Sequence, residues 1–152
     1  MRIRILCVGR LKDGPERELV DDYVARARKT GAGLGYRSVE EVEIEAGGGK
    51  EKEAERILAR RSKGRLVRLD ERGQAWTSVE LGRRLQAWRD AGEDADFVIG
   101  GADGLASCLS SQTGLALGFG QQTWPHKLVR VMLAEQVYRA LSIEAGSPYH
   151  RE

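Results

Sequence analysis

Along the chain, short apolar runs alternate with longer segments whose apolar residues recur every three or four positions. That is the pattern of an α/β domain with a largely parallel sheet. A first strand is predicted over residues 3–8, closed by Gly9. Asp13-Gly14-Pro15 then starts a helix in which Leu19, Val20, Tyr23, Val24 and Ala27 share a face, and which ends near Gly31. Residues 36–44 read as a second strand, made polar on one side by Glu40, Glu41, Glu43 and Glu45 and so placed near a sheet edge. The run Gly47-Gly48-Gly49 is a loop.

A helix follows over residues 50–63, terminated by Gly64, and residues 65–69 form a short strand. Thr77-Ser78-Val79-Glu80 matches a capping box ahead of a helix with the buried stripe Leu81, Leu85 and Trp88. Residues 96–99 are an apolar strand running into Gly100-Gly101, and in open α/β sheets this carboxyl-terminal edge is where ligands are held. Leu115–Leu117 is a final strand, residues 118–124 a loop, and residues 125–144 a long helix with proline in its first turn. Apolar residues from Val129 to Ile143 surround that helix on nearly every side, which predicts a homodimer in which a partner subunit covers one face.

Composition sharpens this picture at one place. The 152 residues suit a single domain (1–152) with one sizeable core, and 25 Lys+Arg against 23 Asp+Glu give a net charge of only +2. Between residues 97 and 126, however, Asp103 is the only formally charged side chain, and six glycines fall in the same window. Cys7 and Cys108, with no CxxC spacing, read as reduced core thiols of a cytoplasmic protein. No apolar run approaches the roughly 20 residues of a membrane span, no targeting segment is expected, and two histidines without a Cys/His cluster offer no metal site.

Within the uncharged window, Phe97 to Gly104 looks like a ligand loop, because glycines after a strand let backbone amides approach a bound molecule. It lacks both the GxGxxG spacing and the Lys-Ser/Thr of a P-loop, so a dinucleotide or ATP site is disfavoured, and a plain turn is an equal reading. Gly118 to Trp124 is a second uncharged loop; if both stand at the ends of adjacent strands, they can enclose a flat, mostly neutral ligand. Glu135 and Arg139 are the charges embedded in the apolar helix and can pair at i,i+4. His126 reads as a packing or capping residue. Tyr149-His150-Arg151 sets an aromatic ring, a titrating group and a guanidinium side by side after Pro148, a set able to stack on a base, exchange a proton and hold a phosphate.

Pro125-His126-Lys127-Leu128-Val129-Arg130-Val131, Glu135-Gln136-Val137-Tyr138-Arg139-Ala140 and Pro148-Tyr149-His150-Arg151 together resemble the RlmH family. Its members are SPOUT-class methyltransferases that modify N3 of a pseudouridine in helix 69 of 23S ribosomal RNA. Val8-Gly9-Arg10-Leu11-Lys12 and residues 97–105 fall in the matching order, so the likeness spans the chain. The resemblance implies a trefoil-knotted α/β fold, a homodimer with a shared active site, and S-adenosylmethionine as cofactor. Carried over, the cofactor positions are Leu69, Gly100 with Gly101, and Phe119, Gly120, Gln121, Gln122, Thr123 and Trp124. The catalytic set is Tyr149, His150 and Arg151, oriented by Glu135 and Arg139. The competing expectations are a SPOUT enzyme with another RNA target and a cofactor-free ribosome- or RNA-binding module using Arg2, Arg4, Arg10, Lys12, Arg56, Arg60 and Arg61.

Overall fold

The structure, a computed structural model, describes residues 1–151, the side chain of Thr113 excepted. Its elements run β1 (Arg2–Val8), α1 (Pro15–Ala32), β2 (Ser38–Ile44), α2 (Lys50–Arg60), β3 (Arg65–Gln74), α3 (Ser78–Asp90), β4 (Ala95–Ile99), α4 (Ser107–Thr113), β5 (Leu115–Leu117) and α5 (His126–Glu144). The five strands form one sheet in the order β2-β1-β4-β3-β5, and every pairing is parallel. The acidic strand β2 is an edge, as its glutamates require.

The strand pleat sorts side chains onto two helical layers. Ile3, Ile5 and Cys7 of β1 join Val20, Leu85 and Val137 in the core under α1, α3 and α5. Leu6 and Val8 join Ala54, Ile57 and Leu109 under α2 and α4. Although arginine alternates with isoleucine at the start of β1, the strand is central and Arg4 is buried. Its charge is met by Asp96 of β4, which is fully buried and accepts two bonds from the guanidinium at 2.9 Å each. Asp96 also accepts from the Ser62 amide at 2.6 Å, which captures the chain just after Arg60 and ends α2 three residues before the predicted boundary at residue 63.

Three further differences have physical causes. Helix α4 carries no amphipathic signal, since Leu109 is the one fully buried side chain among its described residues. Strand β3 continues past Leu69 to Gln74 by way of a register shift against β5. Cys7 is buried as expected, but Cys108 lies exposed on α4 rather than in the core. The capping box of α3 forms as predicted: Thr77 Oγ1 accepts from the Glu80 amide at 3.0 Å and Glu80 accepts from the Thr77 amide at 2.7 Å. No helix among the described residues is long and apolar enough to cross a membrane.

A candidate cofactor and RNA site

One cavity of about 550 Å³ opens at the carboxyl-terminal edge of the sheet. Ile99 and Gly100 from the end of β4, Leu69 and Asp70 from β3, and Leu117 and Phe119 from the end of β5 contribute to its walls, and α5 closes it with His126 and Val129. The two uncharged loops therefore do converge, but not from adjacent strands: β3 lies between β4 and β5, and its Asp70 and Glu71 stand in the cavity wall between them.

Close backbone approach explains the glycines. A Cβ on Gly118 would lie 2.8 Å from the Asp70 carbonyl oxygen and 2.9 Å from that of Gly73. One on Gly100 would lie 2.8 Å from the Gly104 carbonyl carbon. The β3 and β5 ends thus lie almost in contact, and the 100–104 turn closes on itself through the Gly104 amide, which donates to Gly101 at 3.0 Å. Thr123 donates to Glu71 at 2.8 Å and the Trp124 indole to the Phe119 carbonyl at 3.1 Å, so the 118–124 loop is tied both to β3 and to itself.

Of the positions expected to hold a cofactor, Leu69, Gly100, Gly101, Phe119, Gly120, Gln122, Thr123 and Trp124 line this cavity. Gln121 lines a separate shallow depression with Glu71, Arg72 and Gly73. Sequence reasoning passed over Arg68, Asp70 and Glu71, which line the wall beside Asp103 of the 97–104 loop, and took His126 for a packing residue although it too lines the cavity. The wall therefore combines apolar side chains, glycine backbone, three acidic residues and one guanidinium, Arg68, which lies 3.6 Å from Asp70. With carboxylates in excess, this suits a cationic ligand better than it suits a phosphate. Among the described residues, no group of three or more His, Cys, Asp and Glu is placed to hold a metal ion.

The 147–151 segment forms a second constellation. Tyr149 donates to Glu135 Oε1 at 3.0 Å, and its ring packs on Tyr138 with centroids 4.6 Å apart. Arg139 donates to the same Glu135 oxygen at 2.6 and 2.9 Å, lies over the Tyr149 ring, and reaches His150 Nδ1 at 3.2 Å. Glu135, Arg139, Tyr149 and His150 are thus one cluster, while Arg151 is exposed. Burial, then hydrogen bonds to Tyr23 and Glu135, push the Tyr149 phenol up, so at neutral pH it is a donor and not a base. The bond to Glu135 keeps the Arg139 guanidinium firmly protonated.

The cluster stands apart from the cavity of its own chain. Val129 lines the cavity, whereas Arg139 follows it by ten residues, about 15 Å along the axis of α5. Arg130, one residue from the cavity wall, is the most buried charge of this helix and was not singled out by its sequence context. It donates to Glu41 and Glu43 at 2.9 Å each and to the Gly9 carbonyl at 3.2 Å.

Comparison with known proteins places this architecture in a class. Residues 1–150 match the family model described as a predicted SPOUT methyltransferase, and the chain belongs to that family. Within it, the chain is 55% identical over 99% of its length and 99% of the relative to a ribosomal RNA large subunit methyltransferase H from Hyphomonas neptunium. A protein of the same designation from Paracoccus denitrificans is 51% identical, with 100% of both chains covered. Among solved structures, a probable methylase family protein from Haemophilus influenzae Rd KW20 shares the fold with a TM-score of 0.52 and 12% identity over 99% of this chain and 70% of that one.

Proposed function

We propose that this protein is an S-adenosylmethionine-dependent methyltransferase that modifies N3 of a pseudouridine in helix 69 of 23S ribosomal RNA, acting in the cytoplasm on assembled ribosomes. The observation that carries the reading is the convergence of the two uncharged loops on one cavity at the carboxyl-terminal sheet edge. Its relatives of about half-identical sequence, designated ribosomal RNA large subunit methyltransferases, support the substrate class.

The residues present fit the cofactor. Glycine-rich backbone at Gly100, Gly101 and Gly120 can approach an adenine edge, Leu69, Phe119 and Val129 supply apolar cover, and Glu71 and Asp103, beyond the Asp70–Arg68 pair, offset positive charge. When bound there, S-adenosylmethionine supplies an electrophilic methyl group. Methylation at N3 then requires three things of the chain: loss of the imide proton, in-line placement of the nitrogen, and balance for charge developing on the uracil oxygens. Tyr149, held as a phenol, donates or stacks; His150 or water accepts the proton; Arg139 and Arg151 face the developing charge; Glu135 fixes Tyr149 and Arg139 relative to one another.

The reading includes a homodimer in which the 149–151 segment of one protomer completes the cavity of the other. The separation of cluster and cavity along α5 supports it. So does the exposed apolar surface at Leu128 and Trp124, 40% and 39% exposed at the cavity end of α5, with Leu19 at 44% on the neighbouring α1. A trefoil knot belongs to the same reading. The tight backbone contact between Gly73 and Gly118, followed by the return of the chain to pack α5 on α1, supports that path. Calorimetric titration with S-adenosylmethionine tests the core of the proposal. Saturable heat lost in Gly118→Leu is the expected result; no heat from the wild-type protein would leave a cofactor-free RNA-binding module as the better account.

A further inference from the structure

Resting on the rRNA-methyltransferase reading above, we infer that Arg10 and Lys12, in the loop after β1, and Lys127, in the first turn of α5, form a track for the phosphate backbone of the RNA substrate beside the cavity. Most guanidinium groups of this nearly neutral chain are already committed within the fold. Arg2 and Arg4 hold Asp94 and Asp96, and Arg56 and Arg61 hold backbone carbonyls. These four, counted by sequence among the RNA-contacting cations, are spent on structure. Arg10, Lys12 and Lys127 are exposed and have no partner among the described residues.

The loop that carries the first two is held through the backbone of Gly9 and Leu11 on either side of Arg10. The Gly9 amide donates to the Ile44 carbonyl at 2.8 Å and the Gly9 carbonyl accepts from Arg130 at 3.2 Å. The Leu11 amide donates to Glu43 at 2.6 Å, its carbonyl accepts from Arg17 at 3.2 Å, and its side chain is buried. Only the flanking Arg10 and Lys12 side chains are left to point outward. Nearby carboxylates are themselves engaged: Glu41 and Glu43 are bonded to Arg17 and Arg130, and Asp21 to Arg17, so none of the three is paired with Arg10 or Lys12. Asp13, Glu16 and Glu18 sit at the start of α1, where they offset the positive end of that helix.

The loop also lies beside the reaction site. Strand β1 pairs with β4, matching Cys7 to Ile99, and Ile99 lines the cavity. Lys127 precedes Arg130 by three residues and so shares its side of α5, the side that Arg130 ties to Gly9. His126 and Val129, the cavity-lining residues of that turn, flank the cation. A fixed row of solvated cations at the rim of a pocket is what grips a polyanionic strand without reading its sequence.

The test uses the full-length protein with ribosomes lacking the modification and S-adenosylmethionine, and compares wild type, an Arg10→Ala/Lys12→Ala/Lys127→Ala variant, and a Lys29→Ala/Lys63→Ala control. The control removes two exposed cations outside the track. The expected result for the triple variant is a KM for ribosomes raised at least about tenfold and kcat within about twofold. Its salt dependence of binding should be shallower by about one power of salt per cation removed. Cofactor affinity should be unchanged, and Arg10→Lys/Lys12→Arg should retain wild-type KM. If wild type is active and the triple variant matches it in KM and salt slope, or loses no more than the control, the inference is overturned and the enzyme reading stands. If wild type transfers no methyl group to ribosomes, the reading beneath the inference fails and takes the inference with it.

Discussion

The Tyr149 hydroxyl donates to Glu135 Oε1 at 3.0 Å, and that same oxygen accepts both bonds from Arg139. One carboxylate oxygen thus fixes the aromatic and the cation of the cluster relative to each other, across a turn between α5 and residue 149. Glu135→Gln replaces this charged acceptor with an amide and loosens both partners. The expected outcome is a fall in single-turnover methyl transfer of about a hundredfold, with cofactor affinity and sedimentation unchanged from wild type. Deletion of residues 149–152 should cost at least as much in rate, again with unchanged sedimentation; wild-type rates in the deletion would remove the segment from the mechanism.

Gly118→Ala tests the close contact of β3 and β5. Its Cβ would fall within 3 Å of two backbone oxygens, of Asp70 and Gly73, which cannot yield as a flexible side chain would. Overpacking of this kind costs about 1–3 kcal/mol. Because Asp70 and Phe119 both stand in the cavity wall, weaker cofactor binding should accompany the lower denaturation midpoint.

Asp96→Asn leaves the Arg4 guanidinium buried without its counter-charge. Removing one partner of a buried pair costs about 3–5 kcal/mol, and urea denaturation should register a loss of that order. A double variant, Arg4→Met/Asp96→Leu, should recover much of it, since neither charge is then left alone.

The Cys7 thiol gives the fold a pH dependence at the alkaline end. Burial pushes it up to about 12 from an ordinary 9.0, with the nearby Arg130 acting in the opposite direction. The unfolded chain therefore releases this proton near pH 9 and the folded chain does not. The contribution is fully present below pH 9 and is lost as pH rises from 9 toward 12, by about 4 kcal/mol at most. Cys7→Ala should be less stable at pH 8 yet show a flatter decline between pH 8 and 11 in denaturant titrations; equal slopes would contradict the assignment.

Much of the fold was legible because strands and helices here carry strong periodic signals, and the capping box at Thr77 and Glu80 forms as the sequence predicted. What escaped depended on tertiary context. Arg4 and Arg130 are the charges that periodicity assigns to solvent, yet each is buried against carboxylates contributed from elsewhere in the chain. Among its described side chains helix α4 buries Leu109 alone and so has no face to read. The uncharged window marks two loops that line the cavity and the resemblance adds Leu69 of β3, but Asp70 and Glu71 beside it look like ordinary surface carboxylates until the strand order places them between β4 and β5.

The account stands most directly on where the methyl group goes. Ribosomes from a strain lacking the gene, incubated with the purified protein and S-adenosylmethionine, can be digested and their 23S RNA fragments mapped by mass spectrometry against a 3-methylpseudouridine standard. One added methyl group on a helix 69 pseudouridine, co-eluting with that standard, is the predicted result. Methylation of another nucleotide, or none at all from protein that binds the cofactor, would contradict it.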